Sequence, residues 1–325
     1  FCKYGLRVER LQPAEFNAMQ RGTVVHYVLQ RVVEDYGKEI SKFDNEQISQ
    51  LVEKYIQEYL DMISGYSDVE TPYFKFLVST IKRTLEYVVG RLALEFAQSD
   101  FTPVKCELKI GYDGDMPEIK IPIDDIGSLE LTGVVDRLDK WNGYIRIIDY
   151  KTGKRDFKLP DILFGQNMQM LIYLYATAKN DEFGGKSAGI FYMTAKRDKE
   201  SKVANRRMNG LIAADEALVN AMDKENKGEF IPKFSADSPS GSYIKQEDFD
   251  KIFEFIENKL KSTGRSIYEG DIAANPIDGL DSPACKYCEY QSICNMSYEK
   301  HGKVPKLTNA EVLKEIERQV DSDGI

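Results

Sequence analysis

Residues 133–153 read Gly-Val-Val-Asp-Arg-Leu-Asp-Lys-Trp-Asn-Gly-Tyr-Ile-Arg-Ile-Ile-Asp-Tyr-Lys-Thr-Gly, and this segment carries the clearest structural signal in the chain. Two apolar runs flank the dipeptide Asn142-Gly143, and Asn-Gly between such runs is a strong signal for a tight β-hairpin. We therefore predict one strand over Glu130–Lys140 and a second strand over Tyr144–Lys151.

The predicted hairpin brings charged side chains together. Asp149 and Lys151 are two residues apart, so they point to the same side of one strand. With the turn centred at Asn142-Gly143, Asp136 lies opposite Asp149. Two close carboxylates that face a core are unfavourable unless a cation compensates them, and Mg²⁺ or Mn²⁺ prefers oxygen ligands. The pattern therefore predicts a metal site next to a lysine that can assist phosphodiester cleavage. The alternative is that Asp149 and Lys151 are surface residues that flank an apolar strand.

A third acidic residue is a candidate for the same site. Glu107 lies on an earlier apolar strand, Val104–Leu108, and this context favours it as a further metal ligand. Glu118 and Glu130 lie on neighbouring candidate strands and stay open as alternatives.

The order of the remaining elements predicts the fold class. Apolar periodicity predicts helices before the hairpin, and β-branched residues alternate from Thr102 to Ile123. Helices are predicted over about Phe16–Val32, Asn45–Ile63, Pro72–Ala97, Asp161–Ala178, Ala213–Glu225 and Gln246–Ile267, with a strand at Ala188–Thr194 and a short helix after Thr308 that has Glu311 as its capping acid. This order predicts an α/β core flanked and wrapped by helices.

Composition limits the class of protein. The 325 residues are 42% hydrophobic, which is ample for one large domain or two small ones. We expect no membrane span and a cytoplasmic location, because no run of 18 apolar residues and no signal peptide is visible. The chain starts at Phe1-Cys2 without a Met, so we expect a piece of a longer protein. The net charge of −9 argues against a protein that simply coats nucleic acid, although bound cations reverse the local sign at a metal site.

Three of the five cysteines are clustered in the pattern Cys285-x-x-Cys288-x5-Cys294. Such clustering indicates a metal more than disulfides, and Cys2 is the candidate for a fourth ligand. Spacing alone leaves zinc and an iron–sulfur cluster open. The fifth thiol, Cys106, is expected to be a small buried apolar residue.

Four motifs together resemble the RecB-type branch of the PD-(D/E)XK nucleases. They are Gly22-Thr-Val-Val-His26, Gly133-Val-Val-Asp-Arg, Ile148-Asp-Tyr-Lys-Thr-Gly and Gln169-Met-Leu-Ile-Tyr173. The resemblance implies a restriction-endonuclease-like mixed sheet. It implies metal ligation by His26, Glu107, Asp136, Asp149 and the backbone carbonyl of Tyr150, with Asp136, Asp149, Lys151, Gln169 and Tyr173 as catalytic residues. Taken alone, His26 is also compatible with a core histidine, and Gln169 and Tyr173 with an ordinary amphipathic helix.

The cysteine pattern adds a second resemblance, to the iron–sulfur nuclease domains of the AddB/RexB type found in AddAB-like helicase–nucleases. That resemblance implies a [4Fe–4S] cluster, with zinc as the alternative, which staples the ends of the domain together. The implied ligands are Cys2, Cys285, Cys288 and Cys294. It also implies one nuclease domain over residues 1–300, with a helical part at 12–98, a catalytic core at 100–195, a helical part at 210–270, a cysteine segment at 275–300 and a tail at 301–325.

The function implied is that of a Mg²⁺-dependent deoxyribonuclease, an exonuclease acting on single-stranded DNA fed from a helicase. The implied partner is a helicase–nuclease of the AddA type, and the implied role is cutting the 5′ strand in end resection for recombinational repair. Two alternatives stay open: a stand-alone CRISPR-associated type of iron–sulfur exonuclease, and a catalytically silent DNA-binding module.

Overall fold

A computed structural model of the protein describes residues 18–63, 71–153, 156–196, 207–236, 241–271, 273, 276–277, 283–286, 288–290, 294 and 305–323. The described α-helices are α1 (Ala18–Tyr36), α2 (Asn45–Met62), α3 (Pro72–Gln98), α4 (Gln169–Ala178), α5 (Glu216–Met222), α6 (Gln246–Tyr268), α7 (Pro283–Lys286) and α8 (Asn309–Asp323). The described strands are β1 (Thr102–Ile110), β2 (Ile119–Ile123), β3 (Gly127–Leu131), β4 (Gly133–Trp141), β5 (Tyr144–Lys151), β6 (Lys186–Thr194), β7 (Asn209–Ala213) and β8 (Tyr243–Ile244).

Helices α1, α2 and α3 lie where the sequence predicted helices, and the starts of α2 and α3 carry strong local signals. At the start of α2, the Asp44 carboxylate accepts a hydrogen bond from the backbone N–H of Gln47, whose side chain accepts one from the N–H of Asp44. The α3 helix begins with Pro72 after Thr71, whose hydroxyl accepts a hydrogen bond from the N–H of Phe74.

The central sheet is mixed, as predicted. Its strand order is β1-β4-β5-β6-β7-β8, and β5 pairs with β6 in parallel while β4 is antiparallel to both of its neighbours. The β4–β5 turn has positive φ at both Asn142 (45°) and Gly143 (77°), as a type I′ turn requires. Arg137 is paired with Ile148, which is the register that the Asn-Gly signal predicts.

The prediction of a single strand over Glu130–Lys140 is wrong. Residues up to Leu131 belong to β3, which pairs with β2 in a separate two-stranded sheet, and β4 begins only at Gly133. The alternating stretch before it is likewise two strands, because a turn that bonds the N–H of Gly114 to the carbonyl of Gly111 separates β1 from β2. Apolar alternation gives the period of a strand but not the sheet to which it belongs.

Two predicted helices are shorter than expected. The segment before α4 is a 3₁₀ helix, Leu159–Phe164, and left-handed backbone at Gly165 and Asn167 separates it from α4. The α5 helix starts after Asp215, whose side chain accepts a hydrogen bond from the N–H of Leu218. The sequence prediction missed β7 and β8, which flank α5 and extend the central sheet.

The C-terminal helix α8 packs into the core, where Val312 and Ile316 are fully buried. Its predicted cap is confirmed, because the Glu311 carboxylate accepts hydrogen bonds from the N–H and hydroxyl of Thr308. An ion pair of 2.7 Å between Lys251 and Glu317 joins α8 to α6. The predicted domain limits stay a prediction. Within the described part of the chain, no helix combines the length and the apolarity that crossing a membrane requires.

Candidate active site

The β4–β5 hairpin carries the predicted acids on one face. Because Arg137 pairs with Ile148, the preceding residue Asp136 lies opposite Asp149. The backbone N–H of Tyr150 donates a hydrogen bond of 2.7 Å to Asp136 Oδ2, which ties the two strands together at this point. Strand alternation places Asp149 and Lys151 on the same face as Asp136.

A histidine from the first helix meets these strands. Nδ1 of His26, in α1, lies 3.3 Å from Asp136 Oδ2. Among the described residues, one group of three potential ligands has all its ligand atoms within 4.8 Å of one another, and that group is His26, Glu107 and Asp136. Three segments that are far apart in the sequence therefore converge here.

Glu107 reaches the group through an unusual backbone conformation. Its neighbours pair with β4, Cys106 with Arg137 and Leu108 with Val135, so Glu107 lies opposite Asp136. Its φ is +47°, in the left-handed region that side chains other than glycine rarely adopt. Such strain occurs most often at functional sites.

The alternative acids lie in a different place. Glu118 and Glu130 are both paired with Lys120, at 3.0 and 3.6 Å, beside the separate β2–β3 hairpin. Among the three candidate glutamates, Glu107 is the one that lies with His26 and Asp136.

Asp149 and Lys151 form an ion pair at the side of this trio. Lys151 Nζ lies 2.8 Å from Oδ1 and 2.6 Å from Oδ2 of Asp149, and it donates an aligned hydrogen bond to Oδ1. Oδ2 of Asp149 is buried without an aligned hydrogen bond among the described residues.

The carboxylates of the site are not fully compensated by the protein. Burial and the charge of Asp136 raise the pKa of Asp149, and Lys151 and His26 only partly oppose this. Burial and Asp136 also raise the pKa of Glu107. Burial disfavours charged His26, but its hydrogen bond with Asp136 and the charges of the three acids outweigh burial and raise its pKa. One imidazole nitrogen and several carboxylate oxygens suit a divalent cation such as Mn²⁺ or Mg²⁺.

Gln169 and Tyr173 lie beside the start of β4. Gln169 is exposed, and its Nε2 donates a hydrogen bond of 3.1 Å to the hydroxyl of the buried Tyr173. A side chain at Gly133 would collide with the Tyr173 ring and hydroxyl, so this glycine lets α4 approach β4 closely. The predicted role of the Tyr150 carbonyl as a metal ligand stays a prediction.

A group of buried charges behind the site was not predicted from the sequence. Arg137, Asp139 and Arg146 are fully buried, and they bind one another and Glu95 of α3. A signal for them existed: charged residues at alternate positions in two apolar strands, on the face opposite to Asp136 and Asp149.

The cysteines are only partly described, and Cys2 lies outside the described residues. Cys285 and Cys288 are half-buried, and the N–H of Cys288 donates a hydrogen bond of 3.0 Å to the carbonyl of Cys285. Cys294 is exposed. Cys106 is buried in β1 as predicted, and burial raises the pKa of its thiol to about 12.

Comparisons with known proteins agree with this geometry. A sequence family described as the PD-(D/E)XK nuclease superfamily matches residues 1–295. The chain is also similar to proteins that are named as subunits of an ATP-dependent helicase/deoxyribonuclease. The protein from Clostridioides difficile (strain 630) is 28% identical over 363 aligned positions, which cover 99% of this chain and 31% of that protein.

Two further relatives carry the same name. The protein from Caldanaerobacter subterraneus subsp. tengcongensis is 29% identical over 324 positions, covering 90% of this chain and 28% of that protein. The protein from Thermoanaerobacter sp. (strain X514) is 28% identical, covering all of this chain and 31% of that protein. The chain thus spans less than a third of the length of these relatives. The family match covers residues 1–295, so this chain belongs to the PD-(D/E)XK nuclease superfamily.

Proposed function

We propose that this chain hydrolyses phosphodiester bonds in DNA with the help of Mg²⁺ or Mn²⁺. One observation carries the proposal: His26, Glu107 and Asp136 converge from three separate elements, next to the Asp149–Lys151 pair. Folding alone gives no reason for a cluster of acids with raised pKa values, since such a cluster opposes folding unless a cation is bound.

Each residue has a distinct task in this proposal. His26, Glu107, Asp136 and Asp149, with the carbonyl of Tyr150, would hold the cation. When bound, the cation supplies Lewis-acid stabilisation of the phosphodiester and favours deprotonation of water. Lys151, held by Asp149, places a positive charge where charge develops on the phosphate, or accepts a proton from the attacking water when it is neutral. Gln169 is exposed beside Tyr173, so both can orient the scissile phosphate.

The relatives suggest the setting of the reaction. They are named as subunits of an ATP-dependent helicase/deoxyribonuclease, and this chain matches less than a third of each. We propose that the substrate is single-stranded DNA delivered by a helicase, that a helicase–nuclease of the AddA type is the partner, and that the protein acts in the cytoplasm on the 5′ strand as an exonuclease.

The decisive experiment compares the purified chain with Asp149→Ala on end-labelled single-stranded DNA. We expect cleavage with Mg²⁺ or Mn²⁺, none with EDTA, and none from Asp149→Ala. The matched control is Glu130→Gln, an exposed carboxylate of β3 outside the site, which should cleave like the wild type. If the wild type binds DNA but does not cut it with either metal, the catalytically silent DNA-binding alternative is correct instead.

We further propose that Cys2, Cys285, Cys288 and Cys294 hold a [4Fe–4S] cluster that joins the ends of the domain. In support, the turn from Cys285 to Cys288 presents two half-buried soft donors close together in the chain. Such a cluster would close a loop spanning most of the chain and would stabilise the fold.

Iron and sulfide analysis tests the cluster. Purified protein should contain both, and Cys288→Ser should lose iron and melt at a lower temperature. The control Cys106→Ala removes a thiol outside the motif and should retain iron. Zinc without iron in the wild type would overturn the proposal.

A further inference from the structure

The face of the β4–β5 hairpin that points away from Asp136 and Asp149 holds a buried group of charges, which we call the buried ion network: Glu95, Arg137, Asp139 and Arg146. Arg137 donates two hydrogen bonds to Asp139, at 2.8 and 2.7 Å, and one of 3.0 Å to Glu95. Arg146 binds the same two carboxylates. All four side chains are at most 1% exposed.

Stability alone is a weak reason for such a network. Apolar residues of similar volume often stabilise a core as well as a buried ion pair, because charges lose their hydration on burial. What ion pairs supply is direction, since each hydrogen bond fixes one angle and distance.

Tyr150 contacts both the buried ion network and the candidate active site. Its hydroxyl accepts a hydrogen bond of 3.3 Å from Arg137 Nη1. Its ring meets the His26 imidazole edge-on, with centroids 6.2 Å apart and an interplanar angle of 89°, a favourable aromatic geometry. Its backbone N–H holds Asp136 Oδ2. One buried residue thus contacts two of the three converging ligands.

Along β4 and β5, residues of the candidate active site alternate with residues whose side chains lie on the side of the buried ion network. Arg137 follows Asp136 in β4, and Tyr150 lies between Asp149 and Lys151 in β5. Each site residue on these strands has a neighbour whose side chain is anchored on the opposite face. A shift of Tyr150 would therefore move the backbone that carries Asp149 and Lys151, together with the support of His26.

We propose that Tyr150 is a positioning residue: its side chain, anchored by Arg137, holds His26 and Asp136 at the separation needed to bind a divalent cation. The inference rests on the proposed function, because it names the residue that prepares the same site for its metal. It concerns the Tyr150 side chain and is separate from any ligand role of the Tyr150 carbonyl.

The test measures Mn²⁺ binding to metal-free protein by calorimetry, so it does not depend on cleavage. Tyr150→Phe keeps the ring against His26 and removes the hydrogen bond from Arg137, whereas Tyr150→Leu removes both. We expect Tyr150→Leu to weaken Mn²⁺ binding by about 10-fold or more, which is the usual cost of losing support for a metal ligand, and Tyr150→Phe by a smaller factor.

A matched control separates positioning from stability. Tyr55 is also fully buried, and its hydroxyl donates a hydrogen bond of 2.5 Å to Asp35, within the helical layer. Tyr55→Phe also loses one hydrogen bond between a buried tyrosine and a charged side chain, and this bond is the shorter of the two, so it should lower the melting temperature at least as much as Tyr150→Phe and leave Mn²⁺ affinity unchanged.

A second readout follows His26 directly. The chain has two histidines, His26 and His301, so a ¹⁵N-histidine spectrum of metal-free protein contains few signals, and His301→Gln assigns them. The His26 signals should shift in Tyr150→Leu and stay in place in Tyr55→Phe.

The outcomes discriminate between the two proposals. Unchanged Mn²⁺ affinity in Tyr150→Leu, or an equal loss in Tyr55→Phe, overturns the positioning role. If Tyr150→Leu does not fold, Tyr150→Phe decides alone, and wild-type affinity in it overturns the role. A wild type whose Mn²⁺ binding depends on Tyr150 but which cuts no DNA overturns the proposed function and supports the positioning role. A wild type that cuts DNA and whose Mn²⁺ binding is insensitive to Tyr150 does the reverse.

Discussion

The two faces of the β4–β5 hairpin both gather acidic residues, but they balance the charge in different ways. On the buried face, Asp139 and Glu95 are shared between Arg137 and Arg146. Burial disfavours the charged form of Asp139, yet the two guanidinium groups outweigh burial and lower its pKa. The protein itself supplies all the positive charge that these acids need.

On the other face, the acids exceed their partners. Glu107 and Asp149 have raised pKa values, because burial and the nearby Asp136 oppose their charge more than His26 and Lys151 support it. The same two strands therefore carry one acidic cluster whose charge is balanced by two arginines and a second cluster in which acidic groups outnumber basic ones. This difference supports the proposed cation site at the second cluster, where the protein supplies too little positive charge for the acids.

The largest effect is expected when one carboxylate is removed from the buried ion network. Asp139→Ala leaves two buried guanidinium groups with Glu95 alone, and breaking a buried ion pair in this way costs about 3–5 kcal/mol of unfolding free energy. Urea unfolding measures it. Asp61→Ala, at an exposed position of α2, is the control and should change stability by less than about 0.5 kcal/mol. A loss below about 1 kcal/mol for Asp139→Ala would mean that the network is not a unit.

The next largest effect is expected when Lys151 is removed from the face of the hairpin that carries Asp136 and Asp149. Lys151→Met should lower the rate of DNA cleavage by about 10²- to 10³-fold, as loss of one preorganised donor at a reacting centre does. Stability of the metal-free protein should also fall, because Lys151 is the ion-pair partner of the buried Asp149, so cleavage is compared under conditions where both proteins are folded. Single-turnover cleavage at saturating Mg²⁺ is the measurement, with Lys120→Met on the β2–β3 hairpin as control. Equal rates for Lys151→Met and the wild type would remove Lys151 from the chemistry.

The sequence predicted the parts of this comparison that local signals determine. The Asn142-Gly143 turn requires positive φ at two positions, and this alone set the register that places Asp136 opposite Asp149. His26 was different: it lies 110 residues before Asp136, and only the resemblance of its motif to a known family linked the two.

Features that depend on distant packing escaped prediction. Directly after the break at Thr132, Gly133 makes room for the Tyr173 ring, which is a contact between residues 40 positions apart in the chain. The β8 strand has two residues, too few to show a period, and it exists because β7 offers it a free edge. The buried ion network was missed because charged residues in a strand normally indicate a solvent-facing side.

A smaller effect is expected when the Glu107 carboxylate is removed from the group that it forms with His26 and Asp136. Folding raises the pKa of Glu107, so its charged form destabilises the metal-free protein at pH 7. Glu107→Gln should therefore raise the unfolding free energy there by about 1 kcal/mol. Because the folded protein holds this proton more tightly than the unfolded chain does, the carboxyl group favours folding at low pH. This contribution is lost as the pH rises from the ordinary pKa of the group to its raised pKa in the folded state. The gain of the variant should accordingly vanish below about pH 4, where the carboxyl is protonated in both states.

Urea unfolding in EDTA at both pH values checks this, with Glu130→Gln as the exposed control. The same variant should also lose stabilisation by added Mn²⁺, because it removes one of the three converging ligands. A gain that persists unchanged at low pH would show that charge is not its cause.

The smallest effect concerns the backbone that brings Glu107 into the site. Its φ of +47° costs a residue with a Cβ about 1–2 kcal/mol, while glycine adopts it freely but loses more chain entropy on folding. Glu107→Gly and Glu107→Ala both remove the carboxylate, so their difference isolates the strain. Glu107→Gly should be more stable by about 0.5–1 kcal/mol. In an ordinary extended strand the order would be the opposite, and finding alanine the more stable would show that β1 holds Glu107 without strain. If glycine is the more stable, the backbone of β1 is strained at residue 107. That strain then accompanies the placement of the Glu107 carboxylate beside His26 and Asp136.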